Sequence, residues 1–301
     1  MKNVTKILTV VTLCATLFGS AQRIGALGGN AALWPGDEAN IAAFPAQVNN
    51  HAYLQIDGVG ADDDMENTSL LFQKDGTTWG FNYGSGDWVN MHWGDGSMGV
   101  SVGFSNSDDG AGTTSSDMSV AYGNTFDWGE LGVKYWTEND GDDSDLSINY
   151  RTDFGFWLFD NTVVSVSNVM CEDCDMAISA DFFSHMDVGG ADLVYAWGVD
   201  QGGANAELTQ TATVGIEANM TDWATLRAGY NWAYQLSGDD EAIGGLDTDG
   251  FTYGLGFNWG GLTADFTVNS ALLLDPVGTI TGNNDAAGGL TTDTITLTYS
   301  F

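Results

Sequence analysis

The chain closes on TTDTITLTYSF, Thr291 to Phe301. On a β-strand successive side chains point to opposite faces, so Ile295, Leu297, Tyr299 and Phe301 share one side. Thr294, Thr296, Thr298 and Ser300 share the other. One face is apolar and aromatic, and the other carries hydroxyls. A soluble sandwich strand alternates too, but its apolar face is usually aliphatic and rarely ends on a bare aromatic. We read this stretch as the closing strand of a barrel that crosses a membrane, its apolar row toward lipid and its Thr row toward water.

Working back from that strand, the period stays at two as far as His51. Met98, Val100, Val102 and Phe104 alternate with Ser97, Gly99, Ser101 and Gly103. Leu146, Ile148, Tyr150, Phe154 and Phe156 alternate with Ser147, Asn149, Arg151, Asp153 and Gly155. Leu226, Ala228, Tyr230 and Trp232 alternate with Thr225, Arg227, Gly229 and Asn231. A helix repeats every 3.6 residues and cannot hold this pattern. The second face is too polar and Gly-rich for a protein core.

The connections divide into two alternating classes. Lys74–Thr77, Gly94–Ser97, Asp127–Glu130, Asp160–Asn161, Asp187–Ala191, Thr221–Asp222 and Gly260–Gly261 are short. The others are mostly longer and acidic, such as GADDDMEN from Gly60 and ENDGDDSD from Glu138. Short turns on one side and long loops on the other are what a membrane barrel requires. The fold class expected is therefore all-β: a transmembrane, antiparallel, up-and-down barrel of about sixteen strands. Fourteen would result if the hairpin of Thr77–Tyr83 and Asp87–Trp93 did not span. Either even number puts both termini in the periplasm. Trp79, Trp93, Trp128, Trp223 and Trp259 beside short turns fit an interfacial girdle.

Composition agrees. The 301 residues hold 41 acids against 7 Lys plus Arg, a formal charge of −34, which excludes nucleic-acid binding through a basic patch. Lys2 and Lys6, the apolar run Ile7–Phe18 and the small residues Gly19-Ser20-Ala21 read as a signal peptide over 1–21. Residues 22–50 form an N-terminal segment of coil and helical character, interrupted at Pro45, that lies in or across the periplasmic end as a possible plug. The barrel then occupies 51–301.

The chemistry-bearing residues are few. Lys134, Arg151 and Arg227 fall on the lumen parity, as do Asp153, Asp181, Asp192, Glu217 and Asp265. A lumen so lined selects ions by sign, and the acid excess favours cations. Cys171 and Cys174, spaced C-x-x-C in an exported chain, form a small loop disulfide in preference to a redox site. Asp140, Asp142 and Asp145 space carboxylates for calcium only weakly, because the glycine and distal glutamate of a Ca²⁺ loop are out of register. Asp62–Asp64 is a second such run. His51, His92 and His185 lie far apart and no hydrolase motif occurs, so no enzyme and no cofactor is expected.

The export signal, the alternation over 51–301 and the terminal Tyr299-Ser300-Phe301 resemble Gram-negative outer-membrane porins. That resemblance implies a water-filled channel for small polar solutes in the outer membrane. It also implies contact with lipopolysaccharide, and Leu297, Tyr299 and Phe301 as the signal read by the barrel assembly machinery. Porins of this kind are commonly homo-oligomers, trimers above all. Gly28-Gly29, Asp37-Glu38-Ala39-Asn40 and Phe44-Pro45-Ala46 resemble the start of the long-chain fatty-acid transporter family, which implies a fourteen-strand barrel with an N-terminal plug. A plugged substrate transporter and a non-transporting structural barrel are thus the alternatives to a porin.

Overall fold

A computed structural model describes residues 21–59, 67–84, 88–108, 114–138, 143–170, 176–202, 207–237, 250–268 and 295–301. The N-terminal segment begins with a short helix, α1 (Ala21–Ala26), and continues through three 3₁₀ turns at Ala31–Leu33, Glu38–Ala42 and Pro45–Asn50. Sixteen strands follow. The first eight are β1 (Tyr53–Val59), β2 (Asn67–Lys74), β3 (Thr77–Gly84), β4 (Trp88–Gly94), β5 (Met98–Asp108), β6 (Thr114–Phe126), β7 (Gly129–Glu138) and β8 (Asp143–Thr152). The second eight are β9 (Asn161–Ser167), β10 (Ala177–Val188), β11 (Ala191–Gly202), β12 (Glu207–Thr221), β13 (Ala224–Ser237), β14 (Phe251–Trp259), β15 (Leu262–Val268) and β16 (Ile295–Ser300).

Each strand pairs antiparallel with its sequence neighbours, and β16 closes on β1 with Tyr53 opposite Ser300 and Ile56 opposite Leu297. The barrel is closed, with sixteen strands. β3 and β4 are full members of the ring, so the count is not fourteen. No helix is long and apolar enough to cross a membrane among the described residues.

The alternation predicted for the walls is present. Leu70, Phe81, Phe104, Tyr122, Leu226 and Tyr299 are exposed on the outer surface, while Ser69, Ser119, Arg227 and Thr298 are buried on the inner one. Trp79, Trp128, Trp223 and Trp259 stand exposed beside short turns, with Trp93 half-buried. Two expectations need correction. β8 stops at Thr152, so Phe154, Asp153 and Phe156 belong to an eight-residue connection (153–160), not to a strand. The reason is local: Phe156 and Phe159 bond to each other's backbone and close a small turn of their own. Second, Thr296 and Thr298 do face inward, but both are 0% exposed and do not meet open water. Thr296 donates its hydroxyl to Asp57, and Thr298 accepts from Gln55 Nε2 at 3.0 Å.

What buries them is the N-terminal segment. The turn Pro45–Asn50 touches β3 through β7, and α1 touches β13 through β16, so the segment crosses the lumen. Asn49 accepts from the backbone of Gly96 at 2.9 Å, which puts this crossing at the short-turn end. Pro45 starts its own 3₁₀ turn, a position where its missing N–H and preset φ fit, so it interrupts no helix.

Candidate functional site

The inner wall is cut to the segment's backbone. Gly94, Gly99, Gly123 and Gly132 stand opposite one another across four successive strands, a track without side chains. A Cβ on Gly123 would lie 2.7 Å from Ala46 N and 2.8 Å from Pro45 N. Cβ atoms on Gly99 and Gly132 would meet the carbonyls of Pro45 and Ala43. On the far side Gly215 and Gly229 are cross-strand partners and leave the same room for Leu27 and Gly28. Between the tracks the segment makes an apolar core. Ile24, Leu27, Leu33, Trp34 and Phe44 pack on Val163, Phe183, Val194 and Ala196.

Charges fix the segment in register. Arg23 in α1 donates through Nε and Nη2 to both oxygens of Glu217, at 2.8 and 3.1 Å, and through Nη1 to Asp37 at 2.5 Å. Glu217 also accepts from Arg227 Nε at 2.5 Å, and Arg227 Nη1 reaches Asp265 at 2.5 Å. Arg227 lies on β13 and Asp265 on β15, so the guanidinium passes over β14 at Gly256, where a Cβ would sit 2.8 Å from it. All five side chains are nearly fully buried. Burial alone would lower the Arg23 guanidinium, but Glu217 and Asp37 hold it well above its ordinary range. Burial raises Asp37 against the pull of Arg23. Burial raises Glu38 well above the carboxylate range, and Asp37 beside it adds to the rise. Burial alone lowers His51 to about 4.

A second cluster centres on Arg151. Its Nε donates to Glu130 at 3.0 Å, and its Nη1 to Ala32 O at 3.1 Å and to Asn40 Oδ1 at 2.9 Å. The guanidinium lies 4.5 Å from the centre of the Phe44 ring. Gln47 donates to the same Glu130. His185 meets Leu33 O at 2.7 Å through Nε2 and Asp192 at 3.1 Å through Nδ1. Wall hydroxyls take up two further carbonyls, Thr252 that of Ala26 at 3.0 Å and Thr267 that of Gln22 at 3.3 Å.

The lumen-parity residues therefore fall into groups. Arg151, Arg227, Glu217 and Asp265 converge on the N-terminal segment. Lys134 and Asp181 line cavities. Asp192 pairs with His185. Asp153 joins none of them, since it lies in the 153–160 connection. Lys134 borders a cavity of about 350 Å³ together with Glu38, Asp57, Asn82 and Ser119. Asp181 and Asp200 border another of about 560 Å³, beside Gly28–Asn30. Asn30 Nδ2 donates to Asp181 at 3.4 Å.

Cys171 and Cys174, the weak calcium candidates Asp140 and Asp142, the run Asp62–Asp64, and residues 1–20 of the signal peptide lie outside the described residues. Asp145 does not stand ready for a cation: its carboxylate accepts from the backbone N–H groups of Leu146, Asn168 and Met170. No cluster of three or more His, Cys, Asp or Glu fit for a metal occurs among the described residues. The three histidines stay apart: His51 precedes β1, His92 lies on β4 and His185 on β10.

Sequence reading missed Arg23, Asp37, Glu38 and Glu130 as partners of the wall. It also missed the apolar inner face of β9–β11. There was a signal for the latter in Val163-Val164 and Phe182-Phe183, where apolar residues stand side by side and both faces of the wall need partners. There was none for the former, because the pairing residues are 14 to 194 positions apart.

Fold and site together define a class: a closed sixteen-strand antiparallel barrel with its own N-terminal residues packed across the lumen. No family model matches the chain, and no curated protein does. Similar solved structures include CdiB from Acinetobacter baumannii, at 9% identity over 83% of this chain and 59% of that one, TM-score 0.40. An outer-membrane protein OmpT of Vibrio cholerae in its trimer form gives 12%, 80%, 66% and 0.25. An anion-selective porin from Comamonas acidovorans gives 12%, 80%, 63% and 0.26. The chain spans about three fifths to two thirds of the length of these proteins. Such TM-scores carry no argument about this chain, and the barrel rests on its own strand pairing. Nothing here confirms the resemblance to the fatty-acid transporter family, and its implied fourteen strands give way to sixteen.

Proposed function

We propose that the protein is a bacterial outer-membrane channel for small polar solutes, cation-preferring and narrowed by its own N-terminal segment. The observation that carries this reading is the pair of polar-lined cavities that remain beside the segment inside a closed barrel. Closure leaves no unpaired strand edge, which is what a β-structure needs in lipid. The acids Asp181 and Asp200 line the larger cavity without a basic residue among its lining, so cations are favoured there. In this reading residues 1–21 are removed on export and residues 22–50 stay in the lumen. The short turns face the periplasm with both termini, and the long acidic loops face lipopolysaccharide. Leu297, Tyr299 and Phe301 are read by the assembly machinery, and the barrels associate as homo-oligomers.

Planar-bilayer recording of the refolded protein tests it. Small conductance steps with a cation-selective reversal potential are expected, and larger steps after deletion of residues 22–50. Absence of steps in both forms sinks the channel reading in favour of a structural barrel. The network around Arg23 favours one second reading, a substrate transporter whose plug moves only during uptake. It expects no steps at full length and saturable uptake of one solute.

A further inference from the structure

Glu38 and Lys134 stand outside the ion-pair networks described above and border the same cavity, which Asp57 also lines. Glu38 is 6% exposed, and its Oε1 accepts from Gln55 Nε2 at 2.6 Å. Its Oε2 is buried and has no partner. Buried carboxylate oxygens are satisfied as a rule, because an unmet acceptor loses its hydration and gains nothing. Across the cavity stands Lys134, on β7, with five strands between it and the β1 wall against which Glu38 rests. Lys134 makes no ion pair among the described residues; its ammonium lies 5.5 Å from the centre of the Trp136 ring. A cation over an indole face is held in place but keeps donors to spare.

We infer that this cavity binds a small zwitterion of amino-acid size, its ammonium on Glu38 and its carboxylate toward Lys134. The inference rests on the channel reading and names the class of solute that lodges in it. A simple cation would answer Glu38 but repel Lys134, and a simple anion would do the reverse. A solute with both charges answers both and adds no net charge to the lumen. The amides of Asn82 and Asn90 and the hydroxyl of Ser119 border the space between the charges and can bond its polar atoms. The cavity of about 350 Å³ sits at the small end of ligand sites, which excludes bulky solutes. Burial holds Glu38 well above the usual carboxylate range. An arriving ammonium favours its ionised form.

Calorimetric titration of the refolded, full-length barrel in detergent micelles tests this, with alanine as the zwitterion, ethylamine as the cation and propionate as the anion. Alanine is expected to bind one per barrel, at least tenfold more tightly than either analogue. Glu38→Gln and Lys134→Met should each weaken it at least tenfold, and Lys134→Met should turn the preference toward ethylamine. Lys134 lies on the wall and holds nothing in the N-terminal segment, so this variant serves if Glu38→Gln fails to fold. Alanine binding no better than both analogues, or unchanged in folded Lys134→Met barrels, overturns the inference. Conductance recorded on the same preparation separates the two readings: steps without alanine binding refute the site alone, and binding without steps refutes the channel alone.

Discussion

Arg23 and Glu217 stand 194 residues apart and meet side by side, two guanidinium nitrogens on two carboxylate oxygens at 2.8 and 3.1 Å. Both are buried, and each has a second partner, Asp37 for Arg23 and Arg227 for Glu217. Breaking a buried pair from one side leaves a charge without compensation, at a cost of ~3–5 kcal/mol. Arg23→Met should therefore loosen residues 21–50 while the wall, with Arg227 still on Glu217, stays closed. Limited proteolysis should cut the segment faster in folded barrels. Protease resistance equal to the parent protein would show that the bridge does not hold the segment.

The glycine track allows a purely steric test. Gly123→Ala would drive a methyl into the backbone of Pro45 and Ala46, at 2.7–2.8 Å, which cannot turn aside as a side chain could. Overpacking of this kind costs ~1–3 kcal/mol. Gly36→Ala is the control, since nothing lies within 4 Å of its Cβ position. The urea midpoint should fall for Gly123→Ala and hold for Gly36→Ala. Equal midpoints would mean that the segment does not sit in the track.

His51 gives the segment a pH dependence. Its buried ring, lowered to about 4 from 6.5, prefers to be neutral in the folded protein. The unfolded chain binds the proton first as pH falls, so this contribution to stability is full above 6.5. It is lost on acidification down to about 4. The loss amounts to about 3 kcal/mol. Asp37 and Glu38, both raised by burial, act in the opposite sense and favour the fold at lower pH. The difference between the parent protein and His51→Phe isolates the histidine. Chemical denaturation at pH 8 and pH 4.5 should show the parent losing more stability than the variant, and equal losses would remove His51 from the account.

Phe301 is 62% exposed and touches little besides the Tyr299 ring, 6.2 Å between centres. Phe301→Asp therefore removes few contacts from the finished barrel. If the residue serves assembly, the yield of folded barrel in the outer membrane should drop several-fold, with unchanged unit conductance in those that form. A normal yield would assign the terminal aromatic to lipid contact alone.

The sequence by itself determined the walls of this protein. Residue parity along a strand is a local property, so Ile295–Phe301 and its counterparts showed which side faces outward, and turn length separated the short-turn end from the long-loop end. The same parity put Arg151, Glu217, Arg227 and Asp265 inside. It could not say what they face, because that depends on how sixteen strands are staggered around a ring. Only the tertiary structure brought Arg23 to Glu217, laid Pro45 and Ala46 over Gly99 and Gly123, and closed a Thr row away from water. Ion pairs and steric fit between such distant positions leave no period in a sequence. They exist only once the barrel has closed and set the distance between its walls.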